Sequence, residues 1–156
     1  MLHTQIDTAV IDHEALPWMP FAPYSNEVMI KYFKADPIRG EVIAMLKVPA
    51  NTTMARHHHS GTVVVYTLQG SWKYVEHDWV AGPGSLVYET AASTHTPQAL
   101  PDGGDVIALN IVVGDLVYMD EAGNVMAMEN WKTALARYLA YCKDNNLEVV
   151  DITAFK

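Results

Sequence analysis

Four histidines stand out in the middle of the sequence as residues that could bind a metal. His57, His58 and His59 are consecutive, and His95 follows after a stretch of strand-like sequence. On a β-strand alternate side chains face the same side, so His57 and His59 would share a face while His58 points away. Neutral imidazoles are good ligands for Fe, Ni, Cu and Zn. The pattern predicts one divalent metal ion bound by His57, His59 and His95.

The residues around these histidines are typical of short strands separated by turns. β-Branched residues fill positions 62–68, and Gly70 and Gly82-Pro83-Gly84 are typical turn residues. We expect a hairpin joining 62–68 to 71–79, and a last strand pair of 105–113 with 116–120. Apolar residues at helical spacing predict one helix, between Met126 and Lys143.

These elements predict an all-β fold with a C-terminal α-helix, organised as a single domain. We expect an extended arm at residues 1–25, where prolines alternate with aromatic residues, a barrel at 26–125, and the helix and tail at 126–156. The arm and one barrel face are candidate subunit contacts, so we expect a homodimer or homotetramer.

The composition argues against several classes of partner. The chain of 156 residues has a net charge of −8 and contains no cluster of Lys or Arg, so we expect neither nucleic acid nor a membrane surface as its partner. It has no apolar run long enough to span a bilayer and no basic-then-apolar leader. Its one cysteine, Cys142, cannot form an intrachain disulfide, which fits a cytoplasmic location.

Two groups of residues resemble the motifs of the cupin superfamily. In the first, Arg56-His57-His58-His59-Ser60-Gly61 is followed by Gly70, which stands where the first cupin motif has its glycine. In the second, His95 stands where the second motif has its histidine. The resemblance spans roughly residues 40–113. It implies a cupin barrel, that is, a double-stranded β-helix or jelly roll. Val63 occupies the position of the usual first-motif glutamate, so the customary ligand is missing there.

A narrower resemblance points to a replacement for that glutamate. Residues 56–61, 66–74 and 88–96 are similar to the 2,4'-dihydroxyacetophenone dioxygenase and acetylacetone-cleaving branch of the cupins. There, three histidines and a glutamate from the strand after the hairpin glycine hold a non-haem iron. The resemblance implies that Glu76 is the fourth ligand. His77 or water remains an alternative, and we expect Glu89 to lie outside the ligand set.

The same resemblance implies a function. It predicts an Fe(II)-dependent dioxygenase that uses O2 to cleave a C–C bond of a small neutral ketone, either an aromatic hydroxyacetophenone or a β-diketone; Ni, Zn or Cu could also occupy such a site. Strand alternation places Trp72 and Tyr74 on the face of Glu76, and we expect them to line the substrate pocket with Met45, Met54 and Ile111. The alternative is a non-catalytic, zinc-binding cupin of the anti-sigma-factor type.

Overall fold

The computed structural model describes residues 9–153, which form short antiparallel strands and one α-helix. The strands are β1 (Met19–Pro20), β2 (Met29–Asp36), β3 (Glu41–Val48), β4 (His57–His59), β5 (Val63–Gln69), β6 (Trp72–Tyr74), β7 (Leu86–Glu89), β8 (Thr94–His95), β9 (Pro97–Ala99), β10 (Val106–Val113), β11 (Leu116–Met119) and β12 (Val125–Glu129). The helix is α1 (Trp131–Asp144), and a single 3-10 turn spans His13–Ala15.

These strands form two main sheets that enclose the core. The larger has the order β1-β2-β3-β10-β5-β7, the smaller the order β12-β11-β4-β8, and β6 and β9 form a separate two-stranded ribbon. Most of the buried side chains of β3, β5 and β10 are valines and alanines, which face the interior of the barrel. The all-β fold with a C-terminal helix is therefore confirmed.

Strand pairing differs from the sequence-based expectation at two places. The predicted hairpin was wrong, since β5 pairs with β10 and β7, whereas β6 pairs with β9. The predicted last pair was also wrong, because β10 pairs with β3 and β5, and β11 pairs with β4 and β12. In both cases the strand that follows in the sequence belongs to a different sheet, as a jelly roll requires.

The helix begins later than its apolar spacing predicted. Residues 125–129 pair with β11 as a strand. Asn130 then caps α1, because its side chain accepts hydrogen bonds from the backbone amides of Lys132 and Thr133. Ala134, Tyr138 and Cys142, four residues apart, form the buried face of α1. Within residues 9–153 no helix combines the length and hydropathy that crossing a bilayer requires.

The part of the predicted arm that the structure describes lies against the barrel. β1 pairs with β2, and Leu16, Met19 and Phe21 are buried. Residues 1–8, the start of the predicted arm, and residues 154–156 lie outside the described residues.

Candidate metal centre

β4 and β8 bring the three predicted histidines together. These strands pair antiparallel with His57 opposite His95, and alternation along β4 turns His59 to the same side as His57. All three side chains are buried, and one ring nitrogen from each lies within 4.8 Å of the others. His58 points away, and its Nδ1 forms a 2.9 Å hydrogen bond with the Thr94 hydroxyl. The predicted division of the histidine triplet is therefore seen in the structure.

Hydrogen bonding and burial prepare His57 for a cation. Its Nδ1 lies 3.0 Å from the carbonyl oxygen of Ala55, which accepts the Nδ1 proton and leaves Nε2 free as a ligand. Burial, together with the nearby His59 and His95, lowers the pKa of His57 to about 3. The imidazole is therefore neutral at physiological pH, as a metal ligand must be.

Glu89 supplies a carboxylate to the same cluster. It ends β7 on the inward face, and one carboxylate oxygen, Oε2, lies 3.0 Å from Nε2 of His59 and 3.1 Å from Nε2 of His95. Burial alone would raise the pKa of Glu89, but the two imidazoles and the Tyr74 hydroxyl outweigh it and hold that pKa below its ordinary value. Glu89 is therefore an anion at neutral pH.

Tyr74 contacts both the carboxylate and one histidine. Its hydroxyl donates a hydrogen bond to Oε1 of Glu89, and its ring stacks on His95 with centroids 3.7 Å apart and planes inclined by 10°. Burial and the neighbouring Glu89 raise the pKa of this phenol, which keeps it protonated as a donor. Tyr74 therefore fixes the orientation of Glu89 and of His95 from the β6–β9 ribbon.

Unpaired polar atoms show that the cluster fits a cation. Oε2 of Glu89 and Nε2 of His95 are buried and form no hydrogen bond, although they lie only 3.1 Å apart. Each buried polar atom left unpaired costs on the order of 1–3 kcal/mol. A divalent metal ion would satisfy a carboxylate oxygen and ring nitrogens together, and imidazole with carboxylate is a donor set suited to iron or zinc. The residues present therefore fit a metal.

Glu76 is not brought to the cluster, which corrects its assignment as the fourth ligand. β6 ends at Tyr74, and the chain turns there with a hydrogen bond from the amide of His77 to the carbonyl of Tyr74, so strand alternation does not extend to Glu76. Glu76 is exposed, and its carboxylate accepts hydrogen bonds from the backbone amide and the hydroxyl of Thr96 at 2.9 and 2.8 Å. His77, the alternative, is exposed as well and stacks on Trp79.

An apolar cavity of about 130 Å³ borders the histidines inside the barrel. Met54, Trp72 and Tyr74 line it, as the sequence predicted. The indole N–H of Trp72 donates a hydrogen bond to the Thr67 hydroxyl at 2.8 Å. The Trp72 ring therefore presents no unpaired hydrogen-bond donor to the cavity. The cavity is thus a hydrophobic space that opens onto a polar, metal-binding wall.

Met45 and Ile111, also predicted to line the pocket, do not lie along it. On β3 the inward residues include Ala44, and on β10 they include Ala108 and Asn110, which do line the cavity. Met45 and Ile111 occupy the alternate positions and face the opposite side of the sheet. Their assignment to the pocket was wrong because both faces of these strands are apolar.

Gly61 allows the histidine strand to approach β10 closely. A Cβ atom at this position would lie 2.2 Å from the carbonyl oxygen of Val113, a distance that a real side chain cannot adopt. Glycine is therefore required two residues after His59, where the chain passes from β4 into β5.

A buried ion pair joins the end of β12 to α1. Glu129 accepts hydrogen bonds from the guanidinium of Arg137 and from Tyr24 and Tyr32, and the Arg137 carbon atom Cζ lies 5.0 Å above the Phe21 ring. The sequence analysis did not predict this network. The sequence does contain a glutamate and an arginine eight residues apart, on either side of the start of α1.

The sequence of the chain matches a known protein family. Residues 7–112 match the family described as the ChrR cupin-like domain, which is well over half of the chain. No curated protein shows a significant match.

Solved structures share the fold, two of them over at least 90% of the chain. An RmlC-like cupin protein from Ralstonia eutropha JMP134 is 57% identical, with a TM-score of 0.94 and 97% of each chain covered. An acetylacetone dioxygenase from Acinetobacter johnsonii is 20% identical, with a TM-score of 0.75 and coverage of 90% of this chain and 95% of that one. The anti-sigma factor ChrR of Rhodobacter sphaeroides, solved in complex with SigE, is 20% identical, with a TM-score of 0.51 and coverage of 61% and 47%.

Proposed function

The chain belongs to the ChrR cupin-like domain family, and we propose that it is an Fe(II)-dependent dioxygenase cleaving a C–C bond of a small β-diketone. The observation that carries the proposal is the cluster of His57, His59, His95 and Glu89 at the wall of an apolar cavity. In this assignment the three histidines and Oε2 of Glu89 are the metal ligands.

The size of the cavity favours a diketone over an aromatic hydroxyketone. A cavity of about 130 Å³ is similar to the roughly 150 Å³ that holds benzene in an engineered protein core. A short aliphatic β-diketone is close to benzene in size, whereas a hydroxyacetophenone adds a whole acyl group to the ring. The acetylacetone dioxygenase from Acinetobacter johnsonii, which shares the fold, is named for a substrate of this class.

Tyr74 would keep room beside the metal for that substrate. Because its hydroxyl occupies Oε1 of Glu89, only Oε2 faces His59 and His95. A carboxylate held in this way ligates through one oxygen. Four ligand atoms leave two positions of an octahedral ion open, and a diketone can offer two oxygens at chelating distance.

The proposed reaction balances with one O2 per diketone. The bond between one carbonyl carbon and the central carbon breaks, and the products are a carboxylic acid and a 2-oxoaldehyde that together contain both new oxygen atoms. When bound, Fe(II) would supply the Lewis acidity that makes the diketone enolic and the electrons that O2 activation requires. The chain's part is to bind the alkyl groups of the diketone against Met54 and Trp72 and to exclude bulk water.

Oxygen consumption tests the proposal. The protein is stripped with a chelator, loaded with Fe(II) or Zn(II), and assayed with an oxygen electrode against acetylacetone and 2,4'-dihydroxyacetophenone. We expect O2 uptake with the diketone and iron only, in a 1:1 ratio with acid formed. Absence of uptake with both ketones by protein that has bound iron would contradict the proposal.

A zinc-binding, non-catalytic cupin is the second candidate. Three histidines and one carboxylate are also a complete tetrahedral set for Zn²⁺, which leaves no open position. Zinc retained through purification without added metal, together with no effect of acetylacetone on the visible spectrum of the Co(II)-substituted protein, would favour this function over the dioxygenase.

A further inference from the structure

The candidate metal centre lies where the edges of the two main sheets meet. β7 is the edge strand of the larger sheet, and β8 is the edge strand of the smaller one. Glu89 ends β7 and His95 ends β8, so each edge contributes one candidate ligand. In the part of the chain that the structure describes, no strand pairing joins β7 to β8. The wall of hydrogen-bonded strands is therefore interrupted beside these two residues.

A surface cleft of about 430 Å³ lies at this interruption. Its buried floor consists of Tyr74, Glu89 and His95, and its sides are formed by the loop after β6 and by β7. The floor residues include the two atoms that are buried without a hydrogen bond, Oε2 of Glu89 and Nε2 of His95. Tyr74 and Glu89 also line the apolar cavity inside the barrel. The metal centre thus borders two spaces, an internal cavity and a surface cleft.

The charge of a metal ion determines which of these spaces it can cross. Moving an ion from water into an apolar space is strongly unfavourable, and the internal cavity is lined largely by valine, alanine and aromatic side chains. The cleft instead has His77 and Ser85 along its sides and the Glu89 carboxylate at its floor. Glu76 and Asp78, both exposed, add two carboxylates on the same loop, and none of the described residues that line the cleft is a lysine or an arginine. The cleft therefore attracts a cation that the internal cavity excludes.

Trp79 lies between the floor of the cleft and the solvent. Its ring packs edge-on against Tyr74, with centroids 5.4 Å apart, and stacks on His77. At the end of the loop, Trp72 and Ala81 exchange two backbone hydrogen bonds of 2.8 and 2.9 Å, which fix the loop to the ribbon. Trp79 is 37% exposed, so most of its surface is packed against neighbouring groups. Removing this ring would widen the path from solvent to the floor.

We propose that the metal ion enters and leaves its site through this cleft, between β7 and β8, and that Trp79 limits the rate of both steps. The inference rests on the metal centre of the proposed function but not on the dioxygenase reaction, so it applies to iron and to zinc alike. The indole of Trp79 is a hydrogen-bond donor only and offers no ligand atom. Trp79 therefore affects the rates of metal binding and release and leaves the equilibrium affinity unchanged.

Stopped-flow absorbance with Co(II) and the full chain tests the proposal. Metal-free protein is mixed with Co(II) to measure binding, and Co(II)-loaded protein is mixed with excess EDTA to measure release. We expect Trp79→Ala to accelerate both steps at least about 10-fold and to leave the dissociation constant within about twofold. Leu46→Ala is the matched control, because it removes a large side chain from the internal cavity and should leave both rates within about twofold.

A bulky label in the cleft tests the same route in the opposite direction. Val80 lines the cleft and is more than half exposed, whereas the chain's one cysteine, Cys142, is buried and protected from labelling. Val80→Cys carrying a large maleimide is expected to slow Co(II) binding and release at least about 10-fold. Met126→Cys with the same label is the control, since Met126 is exposed on β12, in the smaller sheet, and does not line the cleft.

Two results would overturn the proposal. One is wild-type rates in both Trp79→Ala and labelled Val80→Cys. The other is faster exchange in Leu46→Ala than in Trp79→Ala, which would assign the route to the internal cavity. Circular dichroism establishes that each variant is folded, and if Trp79→Ala fails to fold, labelled Val80→Cys decides. Cleft-dependent Co(II) exchange in a protein that oxidises neither ketone would refute the dioxygenase and retain the route, whereas a wild type that binds no Co(II) would refute both.

Discussion

The hydroxyl of Tyr74 donates to one oxygen of the Glu89 carboxylate, while the other oxygen faces the ring nitrogens of His59 and His95. The two oxygens of one carboxylate therefore have different partners. Strands from three separate places in the sequence, β4, β7 and β8, and the β6–β9 ribbon meet at this point. The proposed reaction depends on this arrangement, because Tyr74 holds one carboxylate oxygen and the other remains available to the metal.

Tyr74→Phe removes the donor but keeps the ring that stacks on His95. We expect O2 uptake with acetylacetone to fall roughly 10- to 100-fold, as is usual when a residue that orients a metal ligand is lost. The visible spectrum of the Co(II)-substituted protein should also change, because Glu89 becomes free to ligate through both oxygens. Tyr138→Phe is the control, since that buried hydroxyl is bonded to Val150 on the helix side. Equal behaviour of the two variants would contradict the role of Tyr74.

Glu89→Gln and Glu76→Gln separate the two carboxylates considered as fourth ligand. The first substitution removes a buried anion beside His59 and His95, whereas the second affects an exposed side chain bonded to Thr96. We expect Glu89→Gln to weaken Fe(II) or Co(II) binding at least about 10-fold and Glu76→Gln to leave it within twofold. Competition with a chromophoric chelator measures both affinities. A larger loss in Glu76→Gln would restore the sequence-based assignment.

Gly61→Ala should destabilise the fold. The added Cβ would meet the carbonyl oxygen of Val113 at 2.2 Å, so the backbone must shift. We expect the free energy of unfolding in urea to fall by about 1–3 kcal/mol or more. Gly82→Ala is the control, because a Cβ there has no atom within 4 Å. If the two variants are equally stable, the close approach of β10 is not a constraint.

Breaking the Glu129–Arg137 pair should cost more than removing both partners. Arg137→Met leaves a buried carboxylate without its cation, which we expect to lower the free energy of unfolding by about 3–5 kcal/mol. Adding Glu129→Gln removes the stranded charge, so the double variant should recover part of that loss. A double-mutant cycle in urea gives the coupling. Additive losses would show that the two groups do not interact.

Strand alternation was enough to predict which histidines converge, because β4 is regular through His57–His59. It failed for Glu76, since the strand before it ends at Tyr74 and no local signal marks that end. It also failed for Met45 and Ile111, whose strands are apolar on both faces. The inward position of Glu89 follows from its alternation on β7 with Tyr88, which is exposed. Predicting that position from the sequence would have required knowing that β7 pairs with β5.

Metal content is the most direct test of the central claim that His57, His59 and His95 hold one ion. Wild-type protein and four histidine-to-alanine variants are purified without chelator and analysed by inductively coupled plasma mass spectrometry. We predict about one divalent ion per chain in the wild type and in His58→Ala, and little or none in His57→Ala, His59→Ala and His95→Ala. Equal metal content in all five proteins, or a loss confined to His58→Ala, would contradict the account.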